Sequence, residues 1–133
     1  TAGVTDGDWC PIIPESMQSK ADENIYVLGD ASVASAMPKS GFSANSQAKV
    51  AANHVRGALT DSRVFEPRFS NTCWSLVATN DGVKVGANYK AGAEKIEVVD
   101  KFVSSNDEDS ATRQATYEES LGWYAGIVSD MFS

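Results

Sequence analysis

The densest run of chemically useful residue types lies between Asn24 and Gln47. Asn24-Ile25-Tyr26-Val27-Leu28 is a short apolar stretch that ends at Gly29-Asp30, which predicts a buried strand. Gly-Asp after a strand puts a carboxylate just beyond the strand's carboxyl edge, where open α/β sheets bind ligands. Glycine lets a ligand approach closely, and aspartate accepts hydrogen bonds from sugar-type hydroxyls. Taken alone, Gly-Asp more often just starts a turn. Here Gly41-Phe42 follows, and then Ser43-Ala44-Asn45-Ser46-Gln47 opens an Ala-rich stretch of helical pattern. A helix start offers unpaired N–H groups and a positive dipole end, which suits an anion or a negative charge developing on a ring carbonyl.

Other reactive types are sparse. Cys10 and Cys73 are the two cysteines, too few for a disulfide framework or a four-thiolate zinc site. Pairing with each other, pairing outside the chain and no pairing all stay open. Cys10, between Trp9 and Pro11 in a loop, reads as structural. Cys73 is either an inert buried thiol or a redox group. Its neighbour Trp74 points to the opposite strand face and reads as packing. Trp123, in Leu121-Gly122-Trp123-Tyr124, is either core or the cover of a site. His54, the single histidine, has no acidic or nucleophilic neighbour in its helical stretch, so a surface or core role is expected.

The elements that must position these residues fall into two halves. Residues 1–23 are rich in Asp, Gly, Pro and Ser and read as loop, with Trp9 to Pro14 as an apolar island. A helix is expected from Ser43 to Leu59, capped by Ser40 or Ser43, with Val50, Ala51, Val55, Ala58 and Leu59 on its apolar side. Residues 60–71 read as a linker. Thr72 to Thr79 predicts a strand, Asn80-Asp81-Gly82 a hairpin turn, Val83 to Tyr89 a second strand and Ile96 to Val103 a third. A last helix is expected from Ala111 to Met131, with Tyr117, Leu121, Tyr124, Ile127, Val128 and Met131 on its apolar side. The fold class is therefore α+β: the end of an α/β domain (strand, loop, helix) over residues 1–60, then a small lobe of antiparallel strands plus a C-terminal helix over residues 61–133.

Eighteen Asp and Glu against eleven Lys and Arg, a formal charge of −7, argue against a nucleic-acid partner, because phosphate binding needs clustered cations. No apolar stretch reaches the length of a membrane span. The start at Thr1 has neither the basic region nor the apolar core of a signal peptide and reads like the middle of a longer protein.

Gly29-Asp30-Ala31 and the run Met37-Pro38-Lys39-Ser40-Gly41-Phe42-Ser43-Ala44-Asn45-Ser46-Gln47-Ala48-Lys49-Val50 resemble the flavoprotein subunit of flavocytochrome c sulfide dehydrogenase, in the superfamily of FAD- and NAD(P)-linked disulfide oxidoreductases. Trp9-Cys10-Pro11 and the second half fit the same family, so the resemblance runs along most of the chain. It implies an FAD-dependent, periplasmic enzyme that oxidises sulfide and passes electrons to a c-type cytochrome subunit. Residues 1–60 would close the FAD-binding domain, and residues 61–133 would form the carboxyl-terminal flavoprotein lobe. Asp30 would bond the ribityl or pyrophosphate region, Gly29 would allow its approach, and Lys39, Ser40, Gly41 and Phe42 would lie near the isoalloxazine ring. The helix start from Phe42 to Asn45 would face the ring's N1/C2 carbonyl edge. Cys73 would be one half of a redox disulfide, and Trp123 would close the sulfide pocket over the flavin.

The family's Gly-rich dinucleotide fingerprint has no counterpart here, and its mid-chain cysteine is also missing. The expectation is a fragment that is inactive alone and needs the remainder of the flavoprotein. A sulfide:quinone reductase part is the nearest alternative. The charged last helix, with Arg113, Glu118, Glu119 and Asp130, favours a soluble acceptor over it. A non-catalytic dimerisation or interaction lobe is the reading from a different class.

Overall fold

A computed structural model describes residues 3–133. The chain forms two compact units: one is built from the chain up to Asn71 with Ala87–Lys101, the other from Thr72–Gly86 with Phe102–Ser133. The class is α+β, with two helices and a three-stranded antiparallel sheet.

In the first unit, β1 (Cys10–Pro11) pairs in parallel with β2 (Ser32–Val33), Cys10 opposite Ser32 and Pro11 opposite Val33. Proline is tolerated because a two-stranded sheet consists of edges. The apolar run before Gly29 does not become a full strand. Tyr26 makes a single antiparallel bridge to Gln18, flanked by Ser19 N donating to Ile25 O at 2.7 Å and Val27 N donating to Met17 O at 3.0 Å. The partner segment turns away: Met17 sits at φ 64°, and its N–H returns to Ile13 O at 2.9 Å. A ladder cannot continue along a chain that reverses, so backbone pairing ends after one rung. Gly29–Ala31 then forms one 3₁₀ turn.

Helix α1 (Gly41–Thr60) starts two residues before the expected Ser43, because Ser40 is its cap: Ser40 Oγ accepts from Ser43 N at 3.1 Å. It stops at Asp61, which adopts the left-handed conformation at φ 53°, a role aspartate tolerates. Its buried residues are Ser43, Gln47, Val50, Ala51 and Gly57. Of the expected apolar side, Val50 and Ala51 are buried, whereas Leu59 is 80% exposed. The buried stripe is turned because its first half holds a polar cleft instead of core. Val50 and Ala51 pack into a cluster with Ile12, Met17, Met37, Phe69, Tyr89 and Ile96.

The sheet has the order β3 (Arg68–Ala78), β4 (Asp81–Ala91), β5 (Ile96–Val103). The β3–β4 reversal uses Thr79-Asn80, with Asn80 at φ 58°. Asp81 and Gly82, expected in the turn, already belong to β4. In the second unit, Asp109 caps α2 (Ser110–Phe132), its Oδ1 accepting from Thr112 N at 2.8 Å. The helix backbone comes close to β4: a Cβ on Gly82 would lie 2.9 Å from Tyr117 N. Arg113 Nε donates to Asp81 Oδ1 at 2.5 Å, Lys84 pairs with Glu119, and Trp74 and Trp123 stack at 5.7 Å with a tilt of 34°. The turned-in side of α2 thus runs from Arg113, Thr116 and Tyr117 through Trp123 to Ile127 and Val128, so Tyr117, Ile127 and Val128 of the expected apolar side are at least half-buried. Leu121, Tyr124 and Met131, expected on that side, are exposed. The contacts Gly82 permits set the helix phase, rather than the distribution of its apolar residues.

No helix among the described residues is long and apolar enough to cross a membrane, and none of their His, Cys, Asp and Glu residues cluster in threes to hold a metal.

Candidate functional site

A cleft of about 180 Å³ opens in the first unit where the 3₁₀ turn, β2 and the start of α1 meet. Trp9, Val33, Met37 and Pro38 form its apolar walls, and Gly29, Lys39, Ser40, Ser43 and Gln47 supply the polar groups. Ser40 stands at the cap of α1, so the positive end of the helix points to this side.

Gln47 joins the parts. It is 1% exposed; its Oε1 accepts from Gly29 N at 2.7 Å, and its Nε2 contacts Met37 Sδ at 3.7 Å. Gly29 turns at φ 66°, so the glycine serves the backbone turn that delivers its N–H to Gln47. Asn71 holds the other side: its Oδ1 accepts from Ser40 Oγ at 2.5 Å and from Ser43 Oγ at 3.1 Å. Lys39 Nζ donates to the Asp30 backbone carbonyl at 2.8 Å and lies 3.8 Å from the centre of the Trp9 ring.

Of the residues singled out in the sequence, Gly29, Lys39 and Ser40 line the cleft. Asp30 is exposed and faces Lys39 through its carbonyl. Gly41, Phe42 and Asn45 lie in the first turns of α1, outside the cleft lining. Cys73 is exposed on β3 and Cys10 is buried, and the two are not joined in a disulfide. Trp123 packs on Trp74 in the second unit. His54 Nδ1 meets Tyr26 OH at 2.9 Å, a packing role. Sequence reasoning missed Gln47, Asn71 and Trp9 as site residues. Gln47 had a readable signal: a polar side chain one helical turn after Ser43, on the stripe that continues to Val50 and Ala51.

An apolar slot with a few convergent hydroxyl, amide and ammonium groups, backed by a helix start, is the form of a cofactor-binding site. Such a slot joined to a three-stranded α+β lobe defines the class: a cofactor-binding α+β protein. The family model for flavocytochrome c sulphide dehydrogenase, flavin-binding, matches residues 65–132, just over half of the 133-residue chain. The chain belongs to this family. It is a flavoprotein of the dehydrogenase type, and its cofactor is FAD.

The cleft fits a part of that group. Its volume of about 180 Å³ is below the roughly 300–1,000 Å³ of pockets that enclose a whole drug-sized ligand. Its apolar walls suit a flat ring, and Lys39 with the start of α1 suits a ring edge that gains negative charge on reduction.

Proposed function

We propose that this chain works in an FAD-dependent sulfide dehydrogenase of the periplasm that oxidises sulfide and delivers the electrons to a c-type cytochrome subunit. The observation that carries the reading is the cleft of Trp9, Gly29, Lys39, Ser40 and Gln47 at the start of α1, in a chain whose residues 65–132 match the family's flavin-binding model. Bound FAD supplies the two-electron acceptor.

The chain's own residues prepare that chemistry. Gly29, held to Gln47, shapes the floor of the cleft. Lys39 and Ser40, which line the cleft, would border the ring, and Gly41, Phe42 and Asn45, in the first turns of α1 beyond the lining, would present the helix start to its carbonyl edge. Asp30 would hydrogen-bond the ribityl or pyrophosphate region, its carboxylate accepting from ribityl hydroxyls or its backbone N–H donating to a phosphate oxygen. Cys73 forms a redox disulfide with a cysteine elsewhere in the full-length protein. Sulfide attacks that bond, leaving a persulfide on one cysteine and a thiolate on the other. Trp123 borders the sulfide pocket.

The test is the absorbance of the FAD-loaded full-length protein with and without sulfide. Sulfide is expected to bleach the flavin band, and Cys73→Ser is expected to remove that response while FAD stays bound. Bleaching at the normal rate in Cys73→Ser would remove Cys73 from the reaction. That outcome would favour a second reading, an interaction lobe, which the exposure of Leu121, Tyr124 and Met131 on α2 supports.

A further inference from the structure

We propose that Trp9 is a positioning residue whose indole face holds the Lys39 ammonium at the cleft, so that an uncancelled positive charge borders the flavin ring. The inference rests on the placement of the ring beside Lys39 given above, and adds the residue that fixes that charge in space.

Lysine carries a point charge on a stem with many rotamers, so an unheld ammonium spreads its field over a wide volume. Lys39 has two holders, the Trp9 ring at 3.8 Å and the Asp30 backbone carbonyl at 2.8 Å. Both are formally neutral. Among the described residues no carboxylate pairs with Lys39. A carboxylate would fix the ammonium equally well but would cancel its field. An aromatic face attracts the cation through its quadrupole and leaves the net charge in place, and tryptophan does this best.

Trp9 is itself anchored. It bridges to Asp6, whose N–H donates to Trp9 O at 3.0 Å, and the next residue, Cys10, pairs with Ser32. Both Trp9 and Lys39 line the same cleft. The charge is therefore tied through Trp9 to β1 and β2, and through Asp30 to the 3₁₀ turn. A fixed cation at the place where negative charge develops stabilises the reduced ring more than a mobile one, because nothing has to reorganise.

Two readouts on the full-length protein test this. The first is the flavin midpoint potential of the FAD-loaded protein. Lys39→Met is expected to shift it to more negative values, Trp9→Leu to shift it the same way by a smaller amount, and Trp9→Phe to fall between Trp9→Leu and the native protein. The second needs no flavin: NMR of the Lys39 side-chain methylenes in the FAD-free protein, where the native signals should be displaced upfield by the indole and should return to ordinary positions in Trp9→Leu. A native potential in Trp9→Leu, with Lys39→Met shifted, would overturn the role of Trp9 alone. An unchanged potential in Lys39→Met would overturn the placement of the ring beside Lys39, and this inference with it. Should Trp9→Leu fail to fold, Trp9→Phe carries the test: a native potential together with weakened upfield displacement would overturn the proposal.

Discussion

Gly29 holds φ at 66°, and that angle aims its N–H at Gln47 Oε1 2.7 Å away. An L-residue side chain disfavours this region by about 1–2 kcal/mol. A Cβ here would meet only the Ala44 Cβ at 3.4 Å, so the cost of Gly29→Ala comes from the backbone and not from crowding. Gly29→Ala is expected to destabilise the protein by about 1–2 kcal/mol and to weaken FAD binding, read by denaturant unfolding and flavin titration. An unchanged unfolding midpoint would show that the turn does not depend on glycine. The same residue shows the reach of local pattern. The sequence marks Gly29-Asp30 as a turn, and Gly29 does line the cleft while Asp30 stays exposed beside it. The bond from Gly29 to Gln47 is not legible, because it closes across a turn and a helix start that sequence periodicity does not orient.

Helix α2 depends on two features at its edges. Its cap, Asp109, has a carboxyl held below the ordinary carboxylate value, first by the Thr112 N–H, then by the Thr112 side chain, with a small opposing effect of desolvation and a lesser lowering from the Ala111 N–H. A depressed folded value means stability that is present above the ordinary carboxylate range and is lost as pH falls through the depressed value. Asp109→Asn keeps a capping oxygen and removes the charge. It should be less stable than the native protein at neutral pH, with the gap closing in acid; thermal melts across pH would check this, and a gap that widens in acid would contradict it.

The second feature is Gly82, whose missing side chain admits the Tyr117 backbone, 2.9 Å from where a Cβ would stand. Gly82→Val must push α2 away from β4, at an expected cost of about 1–3 kcal/mol. The near-ultraviolet circular dichroism of the Trp74–Trp123 stack should diminish with it. A native spectrum would mean that the helix finds its place without this contact. These contacts also explain why only part of the expected apolar side of α2, Tyr117, Ile127 and Val128, turns inward. Leu121 and Tyr124 sit at correct helical spacing, yet Gly82, Asp81 and Trp74 dictate which side turns inward.

At the scale of the whole molecule, the sequence by itself determined the α+β class, the three strands with β5 at Ile96–Val103, both helices, with Ser40 one of two candidate caps for the first, and the family. All of these rest on local signals: turn residues, caps, strand propensity, and the run from Met37 to Val50. The acidic balance of −7 was equally legible, because charge needs only counting. Tertiary structure decided the rest. It reduced Asn24–Leu28 to one rung, because Met17 reverses the partner chain. It rotated the buried side of α1 toward Ser43 and Gln47, and that of α2 toward Thr116 and Trp123. It brought Trp9 to Lys39 and Asn71 to Ser40, pairs far apart along the chain. The physical reason is common to all of them. Local propensity fixes whether a segment curls or extends, but its buried face and its distant partners depend on the surface it meets, which exists only after the chain has folded.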